Sequence, residues 1–152
     1  MYKNLIIILF TLLLLNNCGY SPIYSKNIDQ NLIIELVNFD GDREINNSIK
    51  YNLNRYRSQI NEKKFFIEIN SEYTKNSETK NLAGNTTSYI LSSSVTFKVT
   101  YGDNTKVFKF TEESTLKNIA SQIDEDIYET NIKKNIGELF SNRLIMQLIN
   151  MK

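Results

Sequence analysis

Cys18 is the single thiol in a chain of 152 residues that contains no histidine. A lone cysteine forms no internal disulfide, and without imidazole neither a Ser-His-Asp nor a Cys-His arrangement can be assembled. Most zinc sites lose their usual donors as well. Carboxylates remain as acid-base groups. Asp124, Glu125 and Asp126 stand together, as do Glu112 and Glu113. Acidic residues near the start of a helix complement its dipole, and an acidic pair on a strand or turn is ordinary solvated surface. Neither group is read as a catalytic or metal site, so no enzyme and no cofactor are expected. Three lysines, Lys98, Lys106 and Lys109, flank a turn near Tyr101. Ammonium groups clustered there would meet the phosphates of a lipid head group, against the plainer reading of solvated strand lysines.

What precedes Cys18 gives it a different chemistry. Lys3 supplies a positive start, and Leu5 to Leu15 form an uncharged apolar run. As a helix this run is about 16 Å long, roughly half the hydrocarbon layer of a bilayer. That is the length of a secretory signal and too short for a permanent span. Leu15-Asn16-Asn17-Cys18-Gly19 resembles the lipobox of bacterial lipoproteins, in which the cysteine becomes acylated; Asn17 stands where that pattern has a small residue. By the same resemblance Gly19, rather than Asp, after the cysteine implies forwarding to the outer membrane. The expected organisation is a signal peptide over 1–17, a lipidated tether over 18–30 and one domain over 31–152. Apart from Lys3, basic and acidic residues are equal in number, so the mature chain has no global pull toward nucleic acid.

The elements that must carry these residues follow from periodicity. Asn31 to Phe39 is apolar and branched and runs into Asp40-Gly41-Asp42, the pattern of a strand closing in a turn. Ile45, Ile49, Leu53, Tyr56 and Ile60 recur at helical spacing behind Asp42 as N-cap. Phe65, Ile67, Ile69 and Tyr73 alternate as a half-buried strand, and Asn76 to Thr87 loses the pattern. The clearest strand places Tyr89, Leu91, Ser93, Val95, Phe97, Val99 and Tyr101 on one face and Ser92, Ser94, Thr96, Lys98 and Thr100 on the other. Gly102-Asp103-Asn104-Thr105 reads as a hairpin, with Lys106 to Thr115 the antiparallel return. Ile123, Ile127, Ile136, Leu139, Phe140, Leu144 and Leu148 define a long closing helix, in which Gly137 is a tolerated weak spot. The order β-α-β-β-β-α predicts an α+β fold with two amphipathic helices packed on one face of a four-stranded sheet.

The segment Cys18-Gly19-Tyr20-Ser21-Pro22-Ile23-Tyr24 resembles the opening of the mature LPS-assembly lipoproteins of the LptE family, in particular the alphaproteobacterial ones. The tail from Asn118-Ile119-Ala120-Ser121-Gln122 to Leu139, Arg143-Leu144 and Leu148 is similar to that family's closing helix. The resemblance implies a non-enzymatic subunit of the lipopolysaccharide translocon. It would be anchored through Cys18 on the periplasmic face of the outer membrane, plugging and supporting an LptD-like β-barrel and assisting lipopolysaccharide transfer. Two other readings stand beside it: a periplasm-facing lipoprotein that binds a lipid or peptide in a groove, and a small hydrolase with a paired carboxylate site.

Overall fold

The computed structural model describes residues 32–56 and 64–151. The expected signal peptide, Cys18, the expected tether and Ile60 lie outside the described residues. The elements are β1 (Ile33–Gly41), α1 (Arg43–Asn54), β2 (Lys64–Lys80), β3 (Thr86–Tyr101), β4 (Asn104–Lys117) and α2 (Gln122–Ile149). They form one four-stranded sheet in the order β1-β2-β3-β4. β1 runs parallel to β2, and the other neighbours are antiparallel. The architecture is the α+β arrangement read from the sequence.

Alternation decides which face of the sheet is covered. Phe65, Ile67 and Ile69 of β2 and Val95, Phe97 and Val99 of β3 are buried beneath Ile45, Ile49 and Leu53 of α1 and Phe140, Leu144 and Leu148 of α2. Each such side chain contributes about 1.5–3 kcal/mol through removal from water. The connection from β1 to α1 is a tight one. Gly41 has φ +94°, and a Cβ there would lie 1.6 Å from the Ser71 carbonyl oxygen. The close approach lets the Asp42 amide donate to that oxygen at 3.2 Å. Asp42 then caps α1, its Oδ1 accepting from the Glu44 and Ile45 amides at 3.0 Å each. At the β3–β4 hairpin only Gly102, φ +55°, has a positive φ, the II′ arrangement that matches strand twist.

Three local expectations change. Asn76 to Thr87 does not end the sheet: β2 continues to Lys80 and pairs on through Ser77↔Tyr89, Thr79↔Ser88 and Lys80↔Thr86. The helix-side alternation fades there, and hydroxyl pairs such as Thr79–Thr87 at 2.6 Å link the strands instead. Ile123 and Ile127 keep the helical period of α2 but are 73% and 56% exposed. A 12-residue α1 spans about 18 Å and a 28-residue α2 about 42 Å, so the shorter helix leaves part of the longer one uncovered. Gly137 is no weak spot but the contact point of the two helices, facing Ser48.

Candidate functional site

The uncovered sheet face is mainly polar, with Phe66 and Val107 as exposed apolar side chains on it. Cross-strand register sets Glu68 opposite Lys98, Glu72 opposite Ser94, and Thr96 between Asn70 and Lys109. The Lys98 ammonium donates to Glu68 Oε1 at 2.8 Å. Ser94 Oγ donates to Glu72 Oε2 at 3.2 Å and Ser92 Oγ to Glu113 Oε1 at 3.3 Å. Lys64 pairs with Glu35 and its ammonium stands over the Phe66 ring. Both signs of charge alternate along this face, and it presents hydroxyls and amides to whatever it meets. An antiparallel sheet tolerates such a solvated face because the other carries the core.

The register divides the three lysines named from the sequence. Lys98 and Lys109 are diagonal neighbours on the polar face, through Lys98↔Val107 and Thr96↔Lys109. Lys106 pairs with buried Val99 and therefore projects on the helix side. The structure brings two of the three together.

Behind the polar face lies a chain of charges that periodicity did not reveal. Glu125 is only 5% exposed. Its Oε1 accepts from Lys75 at 2.8 Å and its Oε2 from the Ile119 amide at 3.2 Å. Lys75 also donates to Glu129 Oε2 at 2.8 Å, and Lys133 reaches Asp42 Oδ2 at 2.9 Å and Glu129 Oε1 at 3.6 Å. The Lys133 ammonium lies 3.9 Å from the Tyr73 ring centre. The hydrogen bond from Lys75 and then the Ile119 amide hold the Glu125 carboxyl below the usual range. Burial works to raise Glu129, but the hydrogen bond from Lys75, the neighbouring Tyr73 hydroxyl and the two lysine charges bring it down. Lys75 is pushed up to about 12, burial being outweighed by its bonds to Glu125 and Glu129. Burial, then Glu129 and Asp42, drive the Tyr73 hydroxyl upward. Each of the three carboxylates pairs with at least one of the two lysines, so the cluster ties the β1–α1 turn, β2 and the first half of α2 together. Glu125 thus does more than complement a helix dipole. The one sequence signal for this was an odd-numbered lysine, Lys75, on the helix-side alternation of β2.

Among the described residues no three Cys, His, Asp or Glu side chains are gathered as metal ligands, and no helix is long and apolar enough to cross a membrane. A shallow groove of about 360 Å³ runs along the outer side of the helices, lined by residues including Asn47, Ser48, Tyr51 and Asn135.

The sequence matches no family model and no curated protein. The fold, in contrast, is that of known lipoproteins. Rare lipoprotein B from Shewanella oneidensis superposes with a TM-score of 0.56 at 13% identity, covering 77% of this chain and 95% of that one. An uncharacterized lipoprotein B from Nitrosomonas europaea gives 0.53 at 13% identity, covering 78% and 84%. A Caulobacter crescentus lipoprotein gives 0.51 at 11% identity, covering 78% and 88%. At these identities the likeness establishes a shared fold.

Proposed function

We propose that this chain is an outer-membrane lipoprotein of the LptE type, anchored by acyl chains on Cys18 at the periplasmic face. In this reading it plugs and supports an LptD-like β-barrel while lipopolysaccharide passes to the cell surface. The observation that carries the proposal is the mainly polar sheet face of Glu68, Lys98, Ser92, Ser94 and Thr96, in a fold held in common with rare lipoprotein B. The lumen of a large outer-membrane barrel is polar, and a plug that fills it needs a rigid polar exterior with its apolar surface turned inward. The opening segment Cys18 to Tyr24, with its alphaproteobacterial character, supports the same reading from the sequence. In this reading Lys109 and Lys98, the latter now paired with Glu68, would meet lipid head-group phosphates from the polar face; Lys106 lies on the other side.

Affinity purification of the tagged full chain from solubilised outer membranes tests the reading. Recovery of an integral β-barrel protein in comparable amount supports it; a chain recovered without one ends it.

A further inference from the structure

The two edges of the sheet are built differently. β1 is interrupted, its register against β2 shifting between Leu36 and Asn38, and such a bulge blunts an edge by breaking the row of outward backbone groups. β4 pairs with β3 from Ser88↔Lys117 to Tyr101↔Asn104 without a shift. Among the described residues no strand lies on its outer side. A straight row of backbone donors and acceptors is left open to another strand.

The side chains along β4 select that strand. In a two-fold antiparallel pair, residues equally far from the axis face each other on the same side of the sheet. With the axis at Lys109, β4 opposes itself as follows. On the helix side Lys106 meets Glu112 of the second copy, and Phe108 meets Phe110. On the polar side Val107 meets Thr111, and Thr105 meets Glu113. Opposite charges, paired aromatics and β-branched pairs are the combinations that stabilise cross-strand contacts. Lys109 alone meets its like, on the solvated face, where long side chains can diverge. Val107 is 63% exposed, and Phe108 and Phe110 sit at the margin of the core, only partly covered.

α2 extends the seam. Arg143 reaches Glu112 Oε2 at 3.0 Å and Phe140 stacks on Phe110 with centroids 6.2 Å apart, so the Arg143 flank of α2 stands above β4. Ile132, Leu139 and Met146 recur on that flank every seven residues, and Met146 is 61% exposed. Met146 is thus exposed apolar surface beside β4. The axis that joins β4 to β4 sets the two α2 helices antiparallel on the same side of the joined sheet.

We propose that the unassembled chain forms a symmetric dimer with a second copy of itself through β4, a continuous sheet with both α2 helices on one side. This does not rest on the barrel reading. A copy and a barrel wall seated on β4 exclude each other, so the dimer is a form that precedes any such assembly.

The full chain, exported in a Gram-negative host, tests this by disulfide trapping. Lys109→Cys lies on the axis, within disulfide reach of its own copy, and is expected to give a reducible dimer whose bond maps to position 109. Lys117→Cys lies beyond the paired segment and is expected to give none. In detergent, sedimentation should show self-association weakened about tenfold by Lys106→Glu, which sets like charges opposite each other twice. Adding Glu112→Lys, which also gives up the Arg143 pair, should restore it in part, with circular dichroism confirming the fold. A parent chain that stays monomeric overturns the proposal, as does trapping no greater at 109 than at 117, or capture of a barrel protein by position 109 in place of a second copy.

Discussion

Gly137 of α2 faces Ser48 of α1 so closely that a Cβ at 137 would lie 2.6 Å from the Ser48 Cβ and 2.9 Å from the Ile45 carbonyl oxygen. Ser48 Oγ locks the approach by donating to the Lys134 carbonyl at 2.6 Å. Alanine in place of a helical glycine ordinarily gains about 1 kcal/mol, but here the new methyl group meets backbone that cannot rotate away. Gly137→Ala is expected to destabilise the fold by about 1–2 kcal/mol, the usual cost of overpacking less the propensity gain. Urea denaturation measures the difference, and an increase in stability would show that the helices separate freely.

Two glycines with the same backbone sign should respond very differently to alanine. Gly41, φ +94°, has the Ser71 carbonyl 1.6 Å from where a Cβ would stand, whereas Gly84, φ +83°, has nothing within 4 Å. Gly84→Ala bears only the conformational cost, about 1 kcal/mol. Gly41→Ala must in addition break the β1–β2 register, and it is expected to prevent accumulation of folded protein. Parallel expression and thermal melts compare the two.

The Lys75 cluster gives the fold a defined dependence on pH. Glu125 and Glu129 are held low, so their contribution is fully present above the ordinary glutamate value, about 4.3, and is lost as pH falls from there through their folded values. Lys75, pushed up to about 12, contributes fully below the ordinary lysine value of about 10.4 and is lost as pH rises from there. Lys75→Met leaves Glu125 buried without its cation and is expected to cost about 2 kcal/mol near neutrality. It should also flatten the acid decline. Denaturation midpoints across pH for parent and variant test both parts.

Much of the architecture was legible because burial imposes a period. The helical stripe of Ile45, Ile49 and Leu53 and the alternation from Leu91 to Val99 each mark the face that meets the core. Beyond the reach of α1 the rule lapses, which is why Ile123 and Ile127 looked buried and why the polar stretch of β2 to Lys80 looked like a loop. Gly137 and Glu125 were misread for a different reason. A helix-to-helix contact and an ion pair between β2 and α2 depend on which distant residue arrives opposite, and no local pattern encodes that. Of the three lysines, spacing along the chain suggested one cluster, while the hairpin register assigns Lys106 to the opposite face.

Cys18 precedes the described residues, and its role is open to direct chemistry. Cys18→Ser is expected to abolish incorporation of radiolabelled fatty acid and to release the chain from the membrane fraction, since in the proposed function acyl chains on this residue are the anchor. Unchanged labelling and unchanged retention would remove the lipoprotein reading.

The most direct measurement places a photo-reactive side chain at Thr96, in the middle of the polar sheet face between Asn70 and Lys109, and irradiates intact cells. The expected product is a covalent adduct with an integral outer-membrane β-barrel protein, since the proposed plug would set this face against the lumen wall. Irradiation that yields only unreacted chain, or adducts only with soluble periplasmic proteins, would contradict it.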